Sequence, residues 1–166
     1  MKTQPIRRNK NIVSLSHDHH AGLLFCWKLR QGLKHRTEPG RILAYIHYFW
    51  QHHLLPHFSE EEAFLFILPD DPGIARAKDE HQRIGVLVDS ILTGPSEGIL
   101  RLLPVLADAV DNHIRFEERD LFPYLEKQLS EAQLESIGRH INENPHLPDD
   151  WRDEYWKVTT HSDTLK

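Results

Sequence analysis

The chain has 166 residues, a formal net charge of −5 and a single cysteine, Cys26. This length suits one domain with its own core, and a lone cysteine excludes an internal disulfide framework. The sequence has no apolar run of the roughly 20 residues that a membrane span needs, and no signal-peptide pattern at its start. Because the acidic balance also disfavours a nucleic-acid surface, we expect a cytoplasmic protein that binds neither nucleic acid nor membrane.

The elements predicted along the chain are all helices, and no period-two strand pattern is present. A basic tail over residues 1–13 precedes them and is expected to be solvated. Ser14 or Ser16 can cap the first helix, Pro56 predicts a kink in the second, and Pro104 and Pro123 predict bends in the fourth. Apolar periodicity and the turn sequences HRTEPG, PDDPG and TGPSEG give four long helices, over about residues 14–33, 41–68, 74–92 and 99–129.

Short connections between long helices predict that neighbours run antiparallel. The predicted fold class is therefore all-α, with an up-down-up-down four-helix bundle over residues 14–129. Ser130 is expected to cap a short helix that ends at about Asn142. Trp151 and Trp156 are expected to pack back on the bundle, so that residues 130–166 form a C-terminal helix and tail.

One motif occurs twice, in the second and fourth predicted helices. It reads HFSEEEAFLF from His57 to Phe66 and HIRFEERDLF from His113 to Phe122. A histidine, two glutamates, a leucine and a phenylalanine recur at identical offsets. Such a repeat calls for a chemical explanation.

Each copy of the motif places one glutamate on the helical face of its histidine. With 3.6 residues per turn, a glutamate four positions after a histidine lies about 40° from it, and the next one about 140° away. Glu61 and Glu117 therefore accompany their histidines towards the core, where a metal ion would offset the cost of burying ionised groups. Glu60, Glu62 and Glu118 are expected on a solvated face.

The first and third helices offer matching histidines. His81 lies at the edge of the apolar stripe of the third helix, and the cluster HDHH in the first contains His17, His19 and His20. We predict His20, because the apolar residues after it stand at the offsets that follow His81; His19 and His17 are the alternatives. The predicted ligand set is His20, His57, Glu61, His81, His113 and Glu117.

Four neutral imidazoles and two carboxylates without a thiolate suit iron, manganese or zinc. Two carboxylates on facing helices can each bridge two ions. With an oxo or hydroxo bridge, two six-coordinate ions would keep about two open positions. These positions predict a small diatomic ligand or peroxide as the binding partner.

The chain resembles the hemerythrin-like (HHE cation-binding) domain family. SHDHH, HFSEEEAFLF, DEHQRI and HIRFEERDLFP carry the resemblance in order and spacing, over roughly residues 17–125. It implies a four-helix bundle with a non-haem di-iron centre, in which Glu61 and Glu117 bridge two iron ions.

Two positions depart from the oxygen-carrying hemerythrins. Those proteins have a further histidine where this chain has Gly85, and a His-x-x-x-x-Asp pattern where this chain has His113 and Glu117. The ligand set is instead similar to that of iron-centre repair proteins and eukaryotic iron-sensing hemerythrin-like domains, so reversible oxygen carriage is not expected.

Three functional classes remain from the sequence, of which the third, a structural bundle that folds without metal, is disfavoured by the cost of burying ionised groups. In the first, the protein binds or senses oxygen, nitric oxide or the iron and redox state, and a separate protein reads the signal. In the second, it is a redox enzyme that reduces peroxide or nitric oxide, or donates iron for iron-sulfur centre repair, with an electron donor as partner. Among the other side chains, His53 is the histidine most expected to touch the site, and Cys26 is expected to be a small buried apolar residue.

Overall fold

The computed structural model of the chain describes residues 7–158; the outer parts of both predicted tails, residues 1–6 and 159–166, lie outside the described residues. Within 7–158 all regular structure is helical, with no strand, as the sequence predicted. The α-helices are α1 (Val13–Lys34), α2 (Pro39–Phe49), α3 (Leu55–Glu60), α4 (Pro72–Thr93), α5 (Ser96–Phe116), α6 (Phe122–Gln128) and α7 (Glu131–Asn142).

Single π-helical turns join some of these helices without a break. Trp50–Leu54 connects α2 to α3, Glu61–Leu65 follows α3, and Glu117–Leu121 connects α5 to α6. Two of the three turns begin at the glutamates that the sequence analysis selected, and π turns are frequent at functional sites. Pro56 and Pro123 each lie in the first turn of the α-helix after a π turn, the part of an α-helix in which proline is tolerated.

Local chemistry sets several helix ends. The Asp71 side chain accepts a hydrogen bond from the backbone N–H three residues later and so caps α4. Ser130 caps α7, as predicted, and the cap is a capping box with Gln133. The expected cap of α1 by Ser14 or Ser16 is wrong, because α1 begins without a side-chain cap.

The helical segments enclose two apolar cores. Helix α1 packs on α5, α5 on α4, α4 on α2, and α2 on α1. One core contains Phe25, Tyr45, Phe49, Val88 and Leu106, among others. The second contains a separate set with Leu15, Leu65, Ala77, Phe122 and Ile137. Along each of the four long helical segments the buried residues change from one core to the other, and the candidate metal ligands lie at this change.

Both described tail portions pack on the helices. The expectation of a solvated N-terminal tail is wrong at Arg8, whose side chain is 4% exposed and pairs with Glu118 and Glu126. Trp151 and Trp156 pack against the Tyr45 ring, as predicted, with ring centroids 5.9 and 5.8 Å away. No helix within residues 7–158 is long and apolar enough to cross a membrane.

Candidate metal centre

Six titratable side chains meet at the boundary between the two cores. The two glutamates are fully buried, and the four histidines are between 1% and 6% exposed. They come from α1, α3, α4, α5 and the two π turns that begin at the glutamates. The six are His19, His57, Glu61, His81, His113 and Glu117.

The structure therefore brings together five of the six predicted residues and replaces the sixth. His20 is exposed and lies outside the cluster, so its selection is corrected to the alternative His19, which is 3% exposed. One residue along a helix turns the side chain by about 100°, so only one of the two can face the core. The buried residues of α1 include Gly22, Cys26 and Leu29, which stand three, seven and ten positions after His19, as the buried residues of α4 do after His81.

The first group of four side chains surrounds one point and consists of His19, His57, Glu61 and Glu117. The Nε2 atoms of His19 and His57 lie 3.1 Å apart. His57 Nε2 is 2.9 Å from Glu61 Oε1, and His19 Nε2 is 3.0 Å from Glu117 Oε2. Neighbouring ligands about 2.1 Å from one ion at right angles are separated by about 3.0 Å, so these distances match ligands of a single cation.

The second group has the same form on the other side of the glutamates and consists of Glu61, His81, His113 and Glu117. The Nε2 atoms of His81 and His113 also lie 3.1 Å apart. His81 Nε2 is 3.1 Å from Glu61 Oε2, and His113 Nε2 is 3.1 Å from Glu117 Oε1. A second cation at this point would have two imidazoles and two carboxylate oxygens, like the first.

Glu61 and Glu117 belong to both groups, and each turns one oxygen to either side. All four oxygens are buried and make no hydrogen bond within the described chain, although imidazole nitrogens lie about 3 Å away. The close approach without hydrogen-bond geometry is expected when both atoms point at a shared third atom. Buried carboxylate oxygens without partners are costly, and a pair of bridged cations would satisfy all four.

Each of the four histidines also has an outer carboxylate. The Nδ1 atoms lie 2.6 to 3.0 Å from carboxylate oxygens, which as ions can only accept, so each Nδ1 carries the proton and donates it. In the neutral ring this leaves the Nε2 lone pair directed inward, as metal binding requires. The pairs are His19 with Glu118, His57 with Asp18, His81 with Glu62, and His113 with Glu80.

The expectation of a solvated face holds for Glu62, which is exposed, and is wrong for Glu118. Glu118 is 26% exposed and accepts from His19, from the Ser16 hydroxyl and from Arg8. Glu62 is 42% exposed, yet one of its oxygens accepts from His81. The helical position of these residues was predicted, but the contact of each glutamate with a histidine of another helix was not.

Aromatic rings close two sides of the centre. Phe122 is stacked on His19 with centroids 5.3 Å apart. Phe58 is stacked closely on His81, with centroids 3.9 Å apart and planes 12° from parallel. At Gly85, where the oxygen carriers have a further histidine, the Trp50 ring lies 3.5 Å from the place a Cβ would occupy. Trp50 thus occupies the space beside Gly85.

Without a metal ion, the centre is a cluster of charged pairs. Burial alone would lower the pKa of His57, but the charge of Glu61 and the hydrogen bond to Asp18 raise this pKa to about 9. The charge of Glu117 and the outer carboxylate of Glu80 likewise overcome burial and raise the pKa of His113 to about 9. Against burial, the surrounding histidines lower the pKa of Glu61 to about 2. A cation that enters must displace protons from the histidines.

A cavity of about 610 Å³ reaches one side of the centre. Its lining includes His19 and His57 but neither histidine of the second group. Apolar side chains such as Phe49 and Ile114 form part of the wall, and the C-terminal segment 144–148 forms another part. His53 lines this cavity, which agrees with its expected place near the site.

An all-helical chain with a buried cluster of histidines and glutamates is a candidate metal-binding protein. The chain belongs to the Hemerythrin HHE cation binding domain family, whose profile matches residues 11–125. Helix α7 and the C-terminal segment lie beyond the matched residues. No curated protein and no solved structure matches the chain.

Sequence reasoning missed the outer carboxylates, although the chain carries a signal for them. Asp18-His19 in α1 and Glu80-His81 in α4 are equivalent pairs of an acidic residue and a histidine. This repeat, rather than the apolar spacing, separates His19 from His20.

Proposed function

We propose that the protein holds two iron ions and binds or senses oxygen, nitric oxide or the iron and redox state. The observation that carries the proposal is the sharing of Glu61 and Glu117 between two groups of ligands. A closed structural site would need only one such group. Two adjacent ions with two histidines each, held by bridging carboxylates, are suited to chemistry with a small molecule.

The proposal includes the finer architecture, an up-down-up-down four-helix bundle. Short connections between successive long segments support it, as do the contacts of α1 with α2 and α5 and of α4 with α2 and α5. In such a bundle, ligands from facing helices meet in the interior.

Iron is preferred over zinc because of the donor set. Imidazole nitrogen with carboxylate oxygen suits iron, and no thiolate is present to favour zinc. Bound iron would supply redox chemistry. The residues of the chain would orient the ligands through the Nδ1 hydrogen bonds, exclude bulk water with Phe58 and Phe122, and admit a small ligand on the side of His19 and His57.

The metal content of protein purified without oxygen tests the proposal. We expect two irons per chain, near-ultraviolet absorption after exposure to air, and binding of azide or nitric oxide. Oxygen should oxidise the ferrous protein irreversibly. A single metal ion per chain, or zinc alone after iron-replete growth, would contradict the proposal, and full recovery of the ferrous form on removal of oxygen would favour a carrier.

A redox enzyme is the second candidate, and the cavity on the side of His19 and His57 favours it because a substrate needs access. Turnover of peroxide or nitric oxide under reducing conditions distinguishes the two. A sensor should react once and stop, whereas an enzyme should consume many equivalents of substrate.

A further inference from the structure

The two halves of the centre serve as internal controls for each other. Every histidine in both halves has an outer carboxylate, so this feature belongs to the ligand geometry itself. Glu60 stands three residues after His57, and the equivalent position after His113 is Phe116. A carboxylate at position 60 is therefore not required to build a half of the centre, and Glu60 is available for another role.

Glu60 lies in a third group of possible metal ligands, with Asp18 and His146. One ligand atom from each lies within 4.8 Å of the others, and the three side chains are 16%, 24% and 21% exposed. His146 Nδ1 donates to Asp18 Oδ2 at 2.6 Å. His146 Nε2 is buried and makes no hydrogen bond, although Glu60 Oε2 is 3.3 Å away. The buried oxygens of Glu61 show the same close approach without a hydrogen bond.

This third group lies along the cavity that reaches the centre. Asp18, Glu60 and His146 line the cavity together with His19 and His57. Asp18 contacts His146 and also the Nδ1 atom of His57. The cavity therefore contains a line of potential ligands from its outer wall to the first group.

The equivalent cleft in the other half has the opposite charge. A cleft of about 440 Å³ between α4 and α5 contains Glu80, the counterpart of Asp18. Arg76 lies in this cleft and pairs with Glu80 at 3.1 Å. The cleft is also lined by the arginines Arg83, Arg115 and Arg119. The four guanidinium groups outnumber the two carboxylates of this cleft, Glu80 and Asp120, and would repel a cation. The cavity beside Asp18 is therefore the electrostatically favourable approach.

We propose that Asp18, Glu60 and His146 form an outer cation position, at which a divalent metal ion is held on its way to and from the centre. The inference rests on the proposed function, since it concerns the route to that centre. Two carboxylates and one imidazole bind a partly hydrated ion without enclosing it. His146 belongs to the C-terminal segment, beyond the residues that the family profile matches.

The kinetics of ferrous iron uptake and release test this role. Glu60→Gln and His146→Ala leave the six inner side chains and Asp18 intact. A residue on the route affects entry and exit alike, so both variants should take up Fe²⁺ without oxygen roughly tenfold more slowly and release it to a chelator more slowly by the same factor. The affinity of the two inner ions and their number should stay unchanged.

The matched control is Glu135→Gln, which removes the same charge from an exposed position of α7. Its uptake and release rates should equal those of the original protein. Unchanged rates in Glu60→Gln and His146→Ala would overturn the outer position. A change in the release rate alone, and therefore in affinity, would overturn it too, because that result indicates a structural effect on the inner site. Failure of the unaltered protein to bind two ions would instead overturn the proposed function.

Discussion

At the scale of single residues, the centre depends on the direction of each imidazole. The outer carboxylates hold the Nδ1 protons at 2.6 to 3.0 Å, and the Nε2 atoms consequently face the shared glutamates. An outer carboxylate and an inner one are adjacent in the sequence at Glu61 and Glu62, and again at Glu117 and Glu118. Each adjacent pair thus provides one inner carboxylate, shared by the two ligand groups, and one outer carboxylate that orients a histidine.

Replacement of Glu117 and of Glu118 should have graded effects on metal binding. Glu117→Ala removes an oxygen from both groups of ligands and should abolish binding of the pair of ions. Glu118→Ala removes the acceptor of the His19 Nδ1 proton and should weaken metal affinity about 10- to 100-fold. Metal titration of folded protein measures both, with Glu97→Ala on the exposed face of α5 as control. Retention of two ions by Glu117→Ala would show that Glu117 is not a ligand.

The correction from His20 to His19 gives a second matched pair. His19→Ala removes a nitrogen from the first group and should lower occupancy of that position, whereas His20→Ala changes an exposed side chain and should leave both ions bound. Metal analysis per folded chain distinguishes the two variants. Loss of metal in His20→Ala alone would restore the sequence-based choice.

At the scale of elements, α1 links the candidate metal centre to the C-terminal segment. His19 lies on α1 in the centre, and Gly32, three and a half turns later, is packed against Ile42 of α2 and Tyr155 of the C-terminal segment. A Cβ at Gly32 would lie 2.8 Å from Tyr155 Cε2 and 2.9 Å from Ile42 Cδ1. The absence of a side chain here permits the C-terminal segment to approach α1.

Gly32→Ala should therefore destabilise the protein. Overpacking typically costs about 1–3 kcal/mol, which exceeds the gain of up to about 1 kcal/mol from helix propensity. Gly98→Ala in α5 is the control, because nothing lies within 4 Å of its Cβ position, and it should stabilise slightly. Urea unfolding of the metal-free protein measures both. A shift of both midpoints in the same direction would contradict the argument.

At the scale of the whole molecule, the centre couples folding to pH. The pKa is raised to about 9 at His57 and His113 and to about 10 at His81. The stability that these histidines contribute is complete below pH 6.5 and is lost as the pH rises through the raised pKa values. The pKa of Glu61, lowered to about 2, contributes stability that is present above 4.5 and lost as the pH falls through about 2. These pairs therefore stabilise the metal-free protein most between pH 4.5 and 6.5.

Metal ions should reverse the trend on the alkaline side. Each histidine must lose a proton before its Nε2 can bind an ion, so metal affinity should increase as the pH rises towards about 9. The increase in thermal midpoint caused by the metal should accordingly be larger at about pH 8.5 than at about pH 6. Unfolding of matched metal-free and metal-loaded samples measures this difference. An equal or larger increase at the lower pH would contradict proton displacement.

The sequence by itself determined the helical class, the separation of the long helices and five of the six inner residues. Helical periodicity and turn residues act locally, so the PDDPG turn and the Ser130 cap could be recognised from the sequence without knowledge of neighbouring helices. The duplicated motif predicted these residues correctly because a four-residue spacing places Glu61 beside His57, and Glu117 beside His113, on the same face of a helix.

Only the tertiary structure decided which side chains meet across helices. The choice of His19, the contact of Glu118 with it, and the approach of His146 to Asp18 depend on how separate segments rotate and pack. The burial of Arg8 against Glu118 has the same origin. Periodicity assigns a residue to a face of its own helix, but the energy of burial and hydrogen bonding depends on what a distant segment places against that face.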